Sequence, residues 1–183
     1  MDRELKECFD NLGSTDDKIR LNALQILLKL TEEKVDWVYE VWDNLIERLD
    51  NENSYQRSIA IMVLCNLAKS DTENRLNASL DLLLAHTKDD KFITSRQCLQ
   101  NLWKVAATSK PTRDMVLDHL EKRFKECTGE KHYNLIRQDI IQTISLLYNE
   151  VKDDTLLSRA QELIKEEDEG RYRKTYEAFL KVR

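Results

Sequence analysis

Apolar residues recur along almost the whole sequence at the spacing of one face of an α-helix. Steps of three and four residues return to the same side of a helix, which turns by about 100° per residue. The pattern predicts ten helices, near residues 2–12, 16–31, 34–50, 54–69, 72–87, 91–108, 112–127, 132–150, 154–166 and 170–182. Three glycines and one proline are too few for the turns of a β-rich protein, so composition also favours an all-α chain.

The second helix of each successive pair repeats one apolar pattern. Starting from Arg20, the positions three, four, seven and ten residues later are all apolar. The same steps are apolar from Arg57, Ser95 and Arg137, and these four origins are 37, 38 and 42 residues apart. Such steps keep one stripe of each helix directed at a core. The period is typical of stacked helical hairpins.

A weaker fifth copy begins at Arg173. Tyr176 and Leu180 fall in step, whereas Glu177 and Arg183 occupy positions that are apolar in the other copies. Such decay is expected where a terminal repeat meets water. The sequence therefore predicts a single repeat domain over residues 1–183, an α-α superhelix (solenoid) of about five helical hairpins.

The segment Leu12–Leu30 resembles a HEAT repeat, with an aspartate-bearing turn followed by an arginine, a small residue and spaced leucines. Asp50–Ala68 resembles a second copy. The third copy departs by carrying Ser95 at the arginine position, and the fourth by carrying Ile140 at the small-residue position. The chain is thus similar to the HEAT-like and armadillo-type repeat family. The resemblance implies an α-solenoid but no particular function, because such arrays serve transport, chromatin, signalling and repair proteins.

In HEAT-like stacks the second helices line a concave surface, and the resemblance implies the same here. Positions two, five and nine residues after each origin lie ~140–200° around the helix from the core stripe. The twelve residues at these positions are Asn22, Gln25, Lys29, Ile59, Met62, Asn66, Gln97, Gln100, Lys104, Asp139, Gln142 and Leu146. The set is rich in amides with a few apolar members, as a surface that binds a protein or peptide segment would be. An idle solvated face is the open alternative.

Arg20, Arg57 and Arg137 form a ladder in sequence, one in each of three repeats. A row of anion-binding guanidinium groups is one interpretation. The other is structural, with each arginine paired to turn aspartates such as Asp16, Asp17 or Asp50 and fixing the stacking of neighbouring repeats. Arginine beside a core is usually paired, so the structural interpretation is favoured.

Charge and reactive residues restrict the function classes further. A net charge of −5 and a pI near 5.4 disfavour nucleic acid as the primary ligand. No apolar run approaches the ~20 residues that cross a bilayer, and no signal peptide is apparent, so a cytoplasmic protein without membrane contact is expected. The four cysteines and three histidines lack metal-ligand spacing, and no phosphate loop or nucleophile signature occurs. We therefore expect no cofactor and no enzymatic activity.

The leading hypothesis is a non-catalytic protein-binding scaffold, or adaptor, that works through the concave face. The alternative is a HEAT-like DNA-binding protein of the alkylated-base glycosylase type, whose array would cradle a duplex. Such an enzyme needs aromatic and acidic side chains in a basic groove. Trp103, Lys104 and Asp139 are the nearest match in this sequence, and the negative net charge weighs against it.

Two further features leave other contacts open. The N-terminal helix could accept a neighbouring subunit through its apolar residues Leu5, Cys8, Phe9 and Leu12. Two basic clusters could meet an acidic partner or a phosphate backbone. They comprise Lys122, Arg123 and Lys125, and then Arg171, Arg173, Lys174, Lys181 and Arg183.

Overall fold

The computed structural model describes residues 3–181, which form ten α-helices and contain no strand. The helices are α1 (Arg3–Asn11), α2 (Asp17–Leu30), α3 (Val38–Leu49), α4 (Ser54–Leu67), α5 (Arg75–Ala85), α6 (Phe92–Ala106), α7 (Lys110–Glu126), α8 (Tyr133–Val151), α9 (Thr155–Lys165) and α10 (Gly170–Phe179). Short 3₁₀ turns follow α4, α5 and α7. The ten predicted helices are confirmed, most of them to within a few residues at each end.

Side-chain caps define where several helices begin. The carboxylate of Asp16 accepts hydrogen bonds from the backbone N–H groups of Lys18 (2.8 Å) and Ile19 (3.3 Å) at the start of α2. Asn53 caps α4, and its side-chain oxygen accepts from the N–H of Tyr55 at 2.9 Å. These bonds satisfy N–H groups that have no partner within the helix.

The predicted core stripe is buried throughout α4, α6 and α8. In α2 it is buried at Ala23, Leu24 and Leu27, but Leu30 is 48% exposed, so the prediction for that residue is wrong. The equivalent residue of α4, Leu67, is fully buried. The preceding second helix, α2, packs against α4, whereas no second helix precedes α2 among residues 3–181.

Contacts within the chain group into two compact units, and the boundary falls inside α6. Unit 1 extends to Cys98, and unit 2 begins at Leu99. In unit 1, α1 packs on α2, α3 on α4, and α2 on α4. In unit 2, α8 packs against α7, α9 and α10.

Arg57 and Arg137 of the ladder make structural contacts, as the structural interpretation expects, but Asp50 is not one of the partners. Arg57 binds both carboxylate oxygens of Asp89 at 2.7 Å and also reaches the carbonyl oxygen of Asn51 at 2.9 Å. Arg137, which is 4% exposed, binds Glu167 at 3.0 Å. The partners are carboxylates about 30 residues further along the chain, so each of these two arginines connects consecutive hairpins.

The fifth hairpin is present and packs on the fourth. Tyr176 is 1% exposed, and its hydroxyl donates to the carbonyl oxygen of Asn134 at 3.0 Å. Arg173 donates to the carbonyl oxygen of Glu167, six residues earlier, as Arg57 does to Asn51. Leu180 is half-buried. Arg183 of the fifth copy lies outside the described residues.

Candidate partner-binding face

In unit 1 the predicted binding residues divide into accessible and buried positions. Asn22, Gln25 and Lys29 of α2 are exposed, and Met62 of α4 and Gln97 of α6 are half-buried. The two remaining members, Ile59 and Asn66, are buried at 3% and 7% exposure, so their expected exposure is wrong.

Contact with the preceding second helix explains this burial. The side-chain amide of Asn66 donates to the carbonyl oxygen of Leu28 (3.1 Å) and to the hydroxyl of Thr31 (3.0 Å) at the end of α2. Ile59, two turns earlier, lies on the same side of α4. Positions two and nine residues after the origin in α4 therefore serve stacking and offer nothing to a partner.

Unit 2 shows a related division. Gln100, Lys104 and Gln142 are half-buried, and Leu146 is 36% exposed. Asp139 is fully buried, contrary to expectation. It lies two residues after its origin, as Ile59 does, and it accepts a hydrogen bond from the side-chain amide of Gln100 at 2.9 Å.

Of the three predicted positions, one keeps access to solvent in all four repeats, and it lies five residues after the origin. We call its occupants, Gln25, Met62, Gln100 and Gln142, the fifth-position residues. Three of the four are glutamines.

On α4 and α6, two exposed apolar residues were missed in the sequence. Tyr55 is 64% exposed and Ile93 is 73% exposed. Each lies two residues before its origin, and therefore seven residues, or about two helical turns, before Met62 and Gln100 respectively. Counting backward as well as forward from the origins would have found both.

The residues proposed for base excision do not form a reactive set. Asp139 is buried and bonded to Gln100. The ammonium of Lys104 donates to the side-chain oxygen of Asn101 at 2.6 Å and lies 5.7 Å from the ring centre of Trp103. A catalytic carboxylate must reach its substrate, which Asp139 in this position does not.

The first basic cluster is largely neutralised. Arg123 is 2% exposed and makes a two-pronged ion pair with Glu130, at 2.5 and 2.8 Å. Lys125 lies 3.4 Å from a carboxylate oxygen of Glu166. A phosphate would have to compete with these carboxylates.

Among residues 3–181, no group of three or more potential metal ligands comes together. Cys65, Cys98 and Cys127 are buried and reduced, and burial raises the pKa of the Cys98 thiol well above its usual value. No helix within the described range is both long enough and apolar enough to cross a membrane.

Comparison with known proteins supports the fold. No family model and no curated protein matches the sequence. Among solved structures, an engineered protein superposes with a TM-score of 0.58 at 19% identity, covering 98% of this chain and 80% of its own. A designed armadillo repeat protein in complex with the peptide (KR)4 gives a TM-score of 0.57 at 11% identity, covering 96% and 80%. A computationally designed armadillo repeat protein for modular peptide recognition gives 0.52 at 13% identity, with the same coverage. The chain therefore has an all-α, solenoid-like helical-repeat fold of the armadillo and HEAT type.

Proposed function

We propose that the chain is a non-catalytic protein-binding scaffold whose fifth-position residues contact an extended protein segment. The observation that carries the proposal is the contrast between positions in the repeat. The fifth position stays accessible in all four repeats, whereas Ile59, Asn66 and Asp139 are buried. A partner lying along the second helices of either unit can therefore reach a fifth-position residue on each of them.

The chemistry of these residues suits a polypeptide backbone. A glutamine side chain offers both a donor and an acceptor, as a peptide group does. Gln100 is already oriented, because the carboxylate of Asp139 only accepts and must therefore face the side-chain N–H₂ of the amide. The carbonyl oxygen of Gln100 then remains to accept a backbone N–H from the partner.

Unit 1 adds apolar anchors. Tyr55 and Ile93 are exposed, and Met62, with its flexible thioether, is half-buried. Tyrosine and methionine are both enriched in protein interfaces. Tyrosine buries a large rigid area at little conformational cost, and methionine adapts its flexible thioether to the surface of the partner. We infer that unit 1 binds apolar side chains of the partner, in addition to the backbone hydrogen bonds made by the glutamines.

The structural neighbours support a peptide as the class of partner. Two are described as designed repeat proteins, one in complex with a peptide and one for peptide recognition. At 11% and 13% identity they share the fold with this chain, and their ligands do not transfer to it.

A peptide-library selection with a matched pair of substitutions tests the proposal. Random peptides are selected on the full chain, and their dissociation constants are then measured by fluorescence anisotropy. We expect Met62→Glu to weaken binding at least tenfold, because it places a charge at a fifth position. Met115→Glu, on the 49% exposed Met115 of α7, should leave binding within about twofold.

Gln25→Arg provides a second test at an exposed fifth position, should Met62→Glu unfold the chain. Circular dichroism establishes that each variant is folded. Failure to enrich any peptide, or equal binding by the Met62 and Met115 variants, would rule out the fifth-position residues as the binding site.

A further inference from the structure

One side of α2 carries apolar side chains that no other described part of the chain covers. Ile19, Ile26 and Leu30 are 45%, 39% and 48% exposed. Their spacing places them in one stripe along the helix. Exposed Asn22 and Lys29 lie beside this stripe. We call these five residues the α2 end face.

The corresponding side of α4 is covered. When Arg20 is matched to Arg57, the α2 end face corresponds to Gln56, Ile59, Val63, Asn66 and Leu67. All five are buried, and Asn66 bonds directly to α2 on this side. The same side of the repeat's second helix is thus covered by a neighbouring helix in the case of α4 and is uncovered in the case of α2.

Contacts at the two ends of α4 show how the covering helix is oriented. At the start of α4, the side-chain amide of Gln56 donates to the carbonyl oxygen of Leu12, before α2 begins (2.8 Å). Past the end of α4, the ammonium of Lys69 donates to the carbonyl oxygen of Glu32, after α2 ends (2.7 Å). The covering helix therefore runs parallel to the covered one, and polar side chains of the covered repeat bind carbonyl groups at its C-terminal end.

Lys29 occupies on α2 the position that Asn66 occupies on α4. Asn66 donates to the carbonyl oxygen of Leu28 in the last turn of the covering helix. A lysine suits this position equally well, because the C-terminal end of a helix carries unpaired carbonyl groups and a partial negative charge.

We propose that the α2 end face binds an amphipathic α-helix of another protein. The bound helix runs parallel to α2, covers Ile19, Ile26 and Leu30 with its apolar side, and presents its C-terminal carbonyl groups to Lys29. This surface is separate from the fifth-position residues and does not depend on the function proposed for them.

Two arrangements of a second copy bring like charges together on this face. Antiparallel pairing of two α2 helices with Ile19 against Leu30 would place Asp17 opposite Glu32. Parallel pairing about a twofold axis would place Lys29 opposite Lys29. Like charges face each other in both arrangements, which disfavours association. A helix from a different protein avoids this repulsion.

The test uses a synthetic probe that reproduces the helix covering α4. The probe has the sequence of residues 17–30, an amidated C-terminus and a fluorescent label. A hydrocarbon staple joins the positions of Asn22 and Ile26, on the side that does not face α4, and keeps the probe helical. Binding to the full chain is followed by fluorescence anisotropy. We expect saturable binding that Ile26→Asp weakens at least tenfold and Lys29→Glu weakens at least threefold.

Ile93→Asp is the matched control, since Ile93 is an exposed isoleucine outside the α2 end face. It should leave probe binding within about twofold, even though it belongs to the surface proposed for peptide binding. Ile19→Asp replaces Ile26→Asp if circular dichroism shows the latter to be unfolded. Absence of probe binding, or equal weakening by Ile93→Asp, overturns the proposal.

Sedimentation equilibrium of the full chain decides between a foreign helix and a second copy. We expect a monomer over the concentration range of the binding assay. A dimer that Ile26→Asp dissociates would assign the α2 end face to self-association and would also overturn the proposal.

Discussion

Arg57 and Arg20 occupy the same position of the repeat but meet very different partners. Arg57 binds Asp89 through two hydrogen bonds of 2.7 Å, and the Asp89 side chain is only 3% exposed. Arg20 pairs with Asp17, whose side chain is 88% exposed. Replacing each arginine by alanine therefore tests whether burial of the partner, and not the repeat position, sets the contribution of the ladder to stability.

The size of the effect follows from what each substitution leaves behind. Without Arg57, the carboxylate of Asp89 remains buried with the N–H of Lys91 (2.9 Å) and the ring of His86 (3.0 Å) as its neighbours. Breaking one side of a buried ion pair costs ~3–5 kcal/mol. The remaining bonds place Arg57→Ala near the lower limit, about 3 kcal/mol. Arg20→Ala leaves the carboxylate of Asp17 in contact with water, and we expect it to cost less than about 1 kcal/mol.

Urea unfolding followed by circular dichroism measures both costs. With a slope of about 2 kcal/mol per molar urea, Arg57→Ala should lower the midpoint by about 1.5 M and Arg20→Ala by less than about 0.5 M. Arg57→Lys is an intermediate control, because it keeps the charge and loses the two-pronged geometry. Equal shifts for the two alanine variants would refute the link between burial of the partner and stability.

Three further measurements examine other parts of the chain. Burial opposes the ionisation of Asp89, but the hydrogen bonds from Arg57 and from the N–H of Lys91 outweigh it and hold the pKa of Asp89 well below its ordinary value. The ionised Asp89 therefore stabilises the fold fully above its unfolded pKa of about 3.9, and this stabilisation is lost as the pH falls toward the folded pKa. The unfolding free energy of Asp89→Asn should accordingly change less over this acid range than that of the wild type. Tyr176→Phe should lower the free energy of unfolding, measured in urea, by about 1 kcal/mol, because the hydrogen bond to the carbonyl group of Asn134 is lost. An unchanged free energy of unfolding would show that this hydrogen bond does not stabilise the fifth hairpin. A thiol reagent followed by mass spectrometry should modify half-buried Cys8 well before fully buried Cys98, and the reverse order would contradict the packing of α6.

The helices and most of the core could be predicted from sequence because both depend on local periodicity. A stripe such as Ala60, Ile61, Leu64 and Leu67 is visible without any knowledge of its neighbours, and all four residues are buried. The arginine ladder was interpretable for the same reason. The partners of the arginines could not be predicted. Asp89 lies 32 residues after Arg57, and only the packing of consecutive hairpins brings the two side chains together.

The candidate binding face was harder to predict because a helical wheel assumes that a helix has one buried side. That assumption fails for α4, in which every residue from Gln56 to Leu67 except Arg57 and Met62 is buried. Other helices cover it on more than one side, so Ile59 and Asn66 pack against a neighbour although they lie opposite the core stripe. Of the three positions predicted to lie away from the core, only the fifth keeps access to solvent in each repeat.

The α2 end face stands out against the ordinary construction of repeat proteins. The outermost repeat of such an array normally presents a polar face to water, because an uncovered stacking face promotes association. On α10 of the fifth hairpin, Arg171, Lys174 and Glu177 are polar and exposed. On α2 of the first described hairpin, Ile19 and Ile26 are apolar and exposed. The equivalent positions of α4 are buried, so a helix that covers α2 in the same way would explain why these residues of α2 are apolar. The positive charge of Lys29 then indicates that the C-terminal end of that helix lies nearby.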